Sequence, residues 1–376
     1  MDVLIVGGGP VGLYLAAVLL QQGVTVRVLE QRLSRAEHSR AIGIHPPALA
    51  ALDRIGVASA LVSAGVPIRR GMAIGNGVKI AQMSFSGVSG RFPFVLSVPQ
   101  KHTEAVLEQR VRELDAAAVL RGARVHGIYD DGRSVTLDVA SAAGISRHSA
   151  SLVVAADGVR STVRELLHIP SRSRTYPDTY LMGDFEDNTP FGPDAVLFLA
   201  AEGIVESFPL PGRLRRWVAR LSSIPPEAGA RMLCDVLLRR TGYAVDAATN
   251  TMLSSFGVRS SRSLRLVNGR TALIGDAAHE VSPIGGQGMN LGWLDAVELA
   301  PLITASLNGF PVGRELRAFD RSRRRAAIRA MRQAEVNMTL GRPLPPLLLT
   351  GRNQAIRGVA AVPAANALIA RRFTMQ

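Results

Sequence analysis

Two glycine-dense turns, each set between an apolar run and a helical stretch, carry the residue types best suited to holding a ligand. The first is Gly7-Gly8-Gly9-Pro10-Val11-Gly12, which follows the apolar run Val3 to Val6 and opens a helical stretch from Leu13 to Gln22. A second strand, Val24 to Leu29, then ends in Glu30. In this context the spacing is G-x-G-x-x-G: Gly7 permits a tight turn, Gly9 lets a pyrophosphate reach the backbone, and Gly12 lets the helix pack on its strand. Glu30 stands where an acid accepts ribose hydroxyls, with Gln31 and Arg32 assigned to the same site. Its charge would repel a 2′-phosphate, so the motif suits FAD or NAD rather than NADP.

The second turn lies late in the chain, in RTALIGDAAHEVSPIGGQGMNLGWLDAVELA from Arg270 to Ala300. A buried strand is expected up to Ile274, stopped by Gly275-Asp276, and a helix from Asn290 to Ser306. Between them Pro283, Gly285, Gly286 and Gly288 would let main chain approach a flat ligand. The helix start, with Gly288, Met289 and Asn290, would offer free N–H groups to partial negative charge. A plain strand-loop-helix connection with Asp276 capping a turn is the alternative for this stretch alone. A third signal is LVVAADGVRSTVR, Leu152 to Arg164, where a strand runs into Asp157-Gly158 and a basic turn with Arg160, Ser161 and Arg164.

Together the three stretches resemble the FAD-dependent aromatic hydroxylases, single-component flavoprotein monooxygenases related to para-hydroxybenzoate hydroxylase. The resemblance rests on GGGPVG with Glu30, on Asp157-Gly158 with Arg160, Ser161 and Arg164, and on Gly275-Asp276 with His279, Pro283 and Gly286. It covers the chain to about Ser306. It implies noncovalent FAD, NADH or NADPH as transient reductant without a second nucleotide domain, and O2 added at flavin C4a for transfer to an electron-rich aromatic or enolic ring. It further implies that Pro283, Gly285 and Gly286 form the catalytic flavin-edge loop, that Gln100 reaches FAD from a helix start, and that Arg40 lies in a segment crossing the flavin. Asp157 would organise its loop through backbone N–H bonds, while Arg160 and Arg164 could pair with phosphate. The alternatives are a related flavin-dependent dehydrogenase, reductase or cyclase, or a non-catalytic flavin-binding protein.

Composition bounds these readings. The chain has 376 residues, 47% of them hydrophobic, and no uninterrupted apolar span of membrane length. The first strand begins almost at Met1, so no signal peptide is expected. The lone cysteine, Cys234, rules out an internal disulfide and agrees with a cytoplasmic location. A net charge of +14 raises nucleic-acid binding, but no nucleic-acid signature accompanies it. The densest cluster, Arg321, Arg323 to Arg325, Arg329 and Arg332, is expected as a solvated helix face. The expected partners are an aromatic small molecule and O2, with the chain a monomer or homodimer.

The fold expected is α/β (α+β): an FAD-binding Rossmann-like domain with an inserted antiparallel-sheet substrate domain and C-terminal helices. The FAD domain is expected over 1–67, 97–175 and 265–310, the sheet domain over 68–96 and 176–264, and the helical region over 311–376. Arg32 to Ile44 reads as a loop, Ile68 to Leu96 as hairpins, and Pro225 to Tyr243 as a helix covering the second sheet. Strand-like runs from Thr179 to Leu221 should present one face to a cavity, with Leu181, Gly183, Phe198, Phe208 and Trp217 as its wall. Few aromatic residues predict mainly aliphatic walls. No side-chain acid or base emerges; Tyr180, Asp184 and Arg213 are weak candidates, and His45 reads as a turn residue.

Overall fold

The computed structural model describes residues 1–35, 40–87, 90–225 and 227–375. Parts of the expected loop (36–39), hairpins (88–89) and helix (226) lie outside the described residues. The apolar run at the start forms β1 (Val3–Val6), fully buried, followed by α1 (Pro10–Gln21) and β2 (Val26–Glu30). Pro10 opens α1, where a missing N–H costs nothing. Then come β3 (Gly43–Ile44), α2 (Pro46–Arg54), α3 (Ala58–Ala64), β4 (Val66–Ile68) and the hairpin β5 (Arg70–Gly75) and β6 (Val78–Ser84). The chain continues through β7 (Val95–Ser97), α4 (Gln100–Leu114), β8 (Val119–Arg121), the meander β9 (Arg124–Asp130), β10 (Val135–Ser141) and β11 (Gly144–Ala150), then β12 (Leu152–Ala155) and α5 (Thr162–Leu166). Next are β13 (Ser171–Glu186), β14 (Ala195–Phe198), β15 (Val205–Leu210), β16 (Leu214–Leu221), α6 (Ala230–Thr241) and β17 (Met252–Ser263). After β18 (Val267–Asn268), β19 (Thr271–Leu273) and β20 (His279–Glu280) the chain is helical: α7 (Gln287–Leu307), α8 (Gly313–Leu340), α9 (Pro346–Ala361) and α10 (Pro363–Phe373).

Among the described residues, one six-stranded sheet runs in the order β18-β19-β12-β1-β2-β8, parallel except for β18. Helices α1, α4 and α7 and the meander β9–β11 share one core with it, so its central strands β1, β2, β12 and β19 are largely buried and read as apolar runs rather than alternations. The tips of β1, β12 and β19 therefore converge, bringing the three motif turns to one edge of the sheet.

An eight-stranded sheet, β20-β17-β13-β16-β15-β14-β5-β6, is antiparallel apart from the β14–β5 pair. Its two faces are both largely apolar. One packs Leu181, Phe185, Phe198, Val205 and Trp217 against Leu233, Val236 and Leu237 of α6. The other gathers Tyr180, Met182, Leu199, Val218 and Phe256 with Ile284 of the late glycine-rich turn. The two sheets thus meet across a space bounded by that turn.

The C-terminal helices close this space from a third side, since Ile356, Val359, Ile369 and Phe373 line it. The expected break near Pro363 separates α9 from α10. The arginine-rich stretch of α8 departs from the expected solvated face at one position: Arg323 is buried and binds Asp295 and Glu298, each at 2.7 Å. No helix among the described residues is long and apolar enough to cross a membrane.

Candidate active site

The first glycine turn is shaped by backbone against backbone. Gly7 has φ of +109°, and a Cβ there would lie 2.3 Å from the carbonyl oxygen of Ala156; a Cβ on Gly12 would lie 2.1 Å from that of Gly7. Gly9 differs, because a Cβ there would meet nothing of the protein within 4 Å. Gly9, Pro10 and Val11 line a cavity. The first helical bond of α1 runs from Leu13 N to Gly9 O at 3.0 Å, leaving the N–H groups of Val11 and Gly12 without helical partners beside it. Glu30 accepts the N–H of Gly8 at 2.7 Å and those of Arg32 backbone and side chain at 2.8 and 3.1 Å. Burial pushes its pKa up, but these bonds outweigh it and hold the carboxyl below its ordinary range. Arg32 lines the cavity; Gln31 is exposed outside it, because successive residues at a strand end point opposite ways.

Asp157 organises the second motif as its sequence suggested. Its carboxylate accepts Ser161 Oγ at 2.6 Å and Val163 N at 3.1 Å, and Ser161 in turn caps α5 through Arg164 N. Burial raises the Asp157 pKa despite these bonds. The two arginines do not converge on one anion. Arg164 donates to the carbonyls of Ala277 and Val159 at 2.9 and 3.0 Å, stapling this motif to the Gly-Asp turn, while Arg160 is exposed at the turn. Gly158 reaches the cavity, whereas Asp157 itself stays behind it.

The Gly-Asp turn hangs on a residue that motif reading missed, Asp295. Its carboxylate accepts Gly275 N at 2.9 Å and Arg323 Nε at 2.7 Å, and lies 2.7 Å from His279 Nε2. Burial alone would raise its pKa, but His279 and Arg323 bring it below the ordinary value. With Gly275 fixed, Asp276 faces the cavity and makes no hydrogen bond among the described residues. The surrounding walls raise its pKa. Pro283, Gly285, Gly286, Gly288 and Met289 line the same cavity, and Gly286, with φ of +65°, precedes α7 without a side-chain cap. The N–H groups at the start of α7 are thus left for a ligand. Asn290 is corrected from ligand contact to clamp: its amide donates to Gly43 O and Gly286 O at 2.9 and 2.7 Å and accepts His45 N at 2.8 Å. This completely buried amide has both N–H groups engaged and so has no side-chain donor left to offer.

The cavity has a volume of about 950 Å³ and runs from Gly9 to the eight-stranded sheet. Gln100 lines it beside Glu104, to which it donates at 2.7 Å. Arg40 lines it too, but its guanidinium is engaged with Ser254 Oγ and Ser255 O, over the Phe256 ring at 5.1 Å, rather than poised free for phosphate. Phe208 is on the wall as expected. Leu181, Gly183, Phe198 and Trp217 are not: they face α6, Trp217 stacks on Phe198 at 5.9 Å, and a Cβ on Gly183 would strike Phe185 and Leu233. The wall is built one residue along, from Met182, Leu197 and Val218. A strand alternates faces with period two, so a one-residue choice exchanges the whole set.

Of the weak acid–base candidates, Asp184 is bound by Arg216 at 2.7 and 2.8 Å, and Tyr180 is buried with its pKa raised. Arg215, buried, binds Asp187 at 2.9 Å, and Arg213 lies in an exposed turn. His45 is a buried cavity residue rather than a mere turn residue, and burial pushes its pKa down to about 4, which keeps it neutral.

An open lane at Gly9, unpartnered N–H groups at two helix starts, and an unbonded carboxylate at Asp276 suit a dinucleotide whose phosphates, ribityl chain and ring lie along one cavity. This fold and site define an FAD-binding flavoprotein. A family model described as FAD binding domain matches residues 1–334, and the chain belongs to that family, within the aromatic hydroxylases related to para-hydroxybenzoate hydroxylase. It is 31% identical over 364 residues to anhydrotetracycline monooxygenase of Streptomyces rimosus, spanning 92% of this chain and 70% of that protein. It is also 31% identical over 312 residues to para-nitrophenol 4-monooxygenase of a Pseudomonas species, spanning 81% of this chain and 77% of the relative. The crystal structure of p-nitrophenol 4-monooxygenase from Pseudomonas putida superposes with a TM-score of 0.88 at 26% identity, covering 99% of this chain and 97% of that one. The chain is an FAD-dependent monooxygenase acting on an aromatic substrate with O2.

Proposed function

We propose that the enzyme hydroxylates a planar, largely apolar aromatic or enolic small molecule held between the Pro283–Gly286 turn and the cavity face of the eight-stranded sheet, with NADH or NADPH as reductant. The observation that carries this reading is the wall itself, where Met182, Leu197, Leu199, Ile204 and Val218 face Ile284. FAD, once bound and reduced, supplies the oxygen-activating chemistry. The protein's part is to place the ring against the flavin edge, to exclude water through the aliphatic wall and the C-terminal helices, and to offer α7 N–H groups to the negative charge of a reduced ring. Glycine at 285 and 286 leaves the turn without side chains between the two ligands. Fused-ring or substituted phenolic substrates are favoured by the size and apolarity of the cavity, and the names of the similar enzymes point the same way.

The test is a panel of phenols, quinolones and polycyclic aromatics, with NAD(P)H consumption, hydrogen peroxide and labelled oxygen in product followed together. Cofactor oxidation that never places oxygen in any product would favour a dehydrogenase or reductase. Reaction with small aromatic acids alone would refute the pocket assignment. The working division keeps 1–67, 97–175 and 265–310 for FAD, 68–96 and 176–264 for substrate and 311–376 as a helical region. We assign the enzyme to the cytoplasm, as a monomer or homodimer, which sedimentation of the FAD-loaded protein would distinguish.

A further inference from the structure

One titratable group on the cavity wall has no part in the roles above. Glu206 lies on β15, opposite Val218 of β16 and Leu197 of β14, and all three line the cavity. It is only 8% exposed, and its carboxylate makes no hydrogen bond or ion pair among the described residues. The other buried acids near it are all paired: Asp184 with Arg216, Asp178 with Arg220 and Arg342, and Asp194 with Arg70. An unpaired acid in an apolar wall is costly to fold, and a ligand that supplies the missing donor removes that cost.

We infer that Glu206 is the polar anchor of the substrate: its carboxylate accepts a hydrogen bond from a phenolic or enolic hydroxyl and takes that proton as the ring is oxidised. This rests on the hydroxylation reading. As oxygen bonds to the carbon ortho or para to that hydroxyl, the O–H electron pair moves into a C=O bond and the proton passes to a Glu206 carboxylate oxygen. Loss of hydrogen from the oxidised carbon restores the ring, and the proton returns to the oxygen. The oxidant is O2, one atom entering the ring and the other leaving as water with the two electrons of NAD(P)H. The same negative charge disfavours aromatic carboxylates.

The other charged groups on the cavity stand elsewhere or are engaged: Asp276 lies beside Gly288 at the Gly-Asp turn, Glu104 accepts from Gln100, and Arg40 binds Ser254 and Ser255. Tyr180 of β13 has a buried, unpartnered hydroxyl with a raised pKa. Arg216 and Arg220 of β16 are engaged with Asp184 and Asp178. Leu197 of β14, Ile284 of the turn, and Asn337 and Ile356 of the helices carry no charge, and His45 is held neutral. Burial pushes the Glu206 pKa up to about 7, so it accepts a proton readily near neutrality.

The test uses FAD-loaded protein without reductant and three probes sharing one ring system: 2-naphthol, 2-methoxynaphthalene and 2-naphthoate, titrated by flavin absorbance. The wild type should bind naphthol about tenfold or more tightly than its ether, and naphthoate worst. Glu206→Leu should erase the naphthol preference and improve naphthoate binding, and Glu206→Gln should retain part of the preference. The wild-type preference should rise as pH increases through about 7 and be flat in Glu206→Leu. Retained FAD reports that each variant is folded. Equal weakening of all three probes, an unchanged preference in Glu206→Leu, or no wild-type preference would each overturn the anchor. Labelled oxygen entering product while the preference is unmoved would sink the anchor alone; a lost preference with no oxygen in any product would support the anchor and refute hydroxylation.

Discussion

Asp295, a residue of α7, accepts the backbone N–H of Gly275 at 2.9 Å from 20 positions further along the chain. The same carboxylate binds Arg323 of α8 and lies against His279, so one buried charge fixes the turn that presents Asp276. Asp295→Ala would leave the Gly275 N–H without its acceptor and the buried Arg323 with only Glu298 as counter-charge. The expected loss is about 3–5 kcal/mol of stability, as when one partner of a buried pair is removed. Guanidinium unfolding checks this, and FAD should no longer survive desalting. Asp295→Asn, which can still accept from Gly275, should lose less.

The His279–Asp295 pair predicts a pH dependence with a definite sign. Burial opposes the charged ring, but the Asp295 and Asp276 carboxylates outweigh it and raise the His279 pKa above its ordinary 6.5. Its contribution to stability is therefore complete below 6.5 and is lost as pH rises through the folded value. Denaturant midpoints across a pH series should show this decline in the wild type, and His279→Gln should flatten it. An identical slope in both proteins would contradict the pairing.

Asp276 should behave oppositely to Asp295. Its carboxylate is exposed to the open cavity and makes no hydrogen bond among the described residues, so the FAD-free fold does not rest on it. Asp276→Ala should leave the unfolding midpoint of the FAD-free protein unchanged or higher. It should weaken FAD binding by about 1.5–3 kcal/mol through loss of a charge-assisted bond to a ribityl hydroxyl. Calorimetric titration with FAD separates the two effects.

The glycines of the first turn divide in the same way. A methyl group at Gly12 would lie 2.1 Å from the Gly7 carbonyl, so Gly12→Ala should destabilise the protein with or without FAD. A methyl group at Gly9 meets no protein atom within 4 Å, so Gly9→Ala should fold normally and fail at FAD binding. Equal FAD affinity in Gly9→Ala and wild type would place the pyrophosphate elsewhere.

What was legible in the sequence follows from the range of the interaction that carries it. GGGPVG between an apolar run and a helix is local chemistry, and the first βαβ unit, the Asp157 loop and the late glycine turn were readable for that reason. Asp295 was not, because nothing near it in sequence shows that its partners are Gly275, His279 and Arg323. Arg323 was hidden in a run of arginines whose other members are mostly exposed, since only the packing of α8 against α7 distinguishes it. The sheet was legible as strands, but Tyr180 to Phe185 is apolar at both parities apart from Asp184, so the run does not say which side meets α6. Glu206 stands in a short strand among apolar residues, and its lack of a partner is visible only when the cavity is.

The two faces of the eight-stranded sheet yield the most direct test of the substrate site. Trp217 and Val218 are neighbours in β16, with Trp217 against Phe198 under α6 and Val218 on the cavity wall beside Met182 and Glu206. Trp217→Ala empties a packed core and should cost about 3–5 kcal/mol of stability. It should leave the relative KM values for a panel of aromatic substrates unchanged. Val218→Ala removes methyl groups that already border open space, so its stability cost should be the smaller of the two. Its effect should fall on selectivity, shifting the ratio of kcat/KM between a large and a small substrate by about tenfold, the scale set by one or two methylene-sized contacts. Guanidinium midpoints and competition kinetics on both variants read the two effects separately. Selectivity that moves with Trp217 and ignores Val218 would place the substrate on the α6 side of the sheet and refute the site described here.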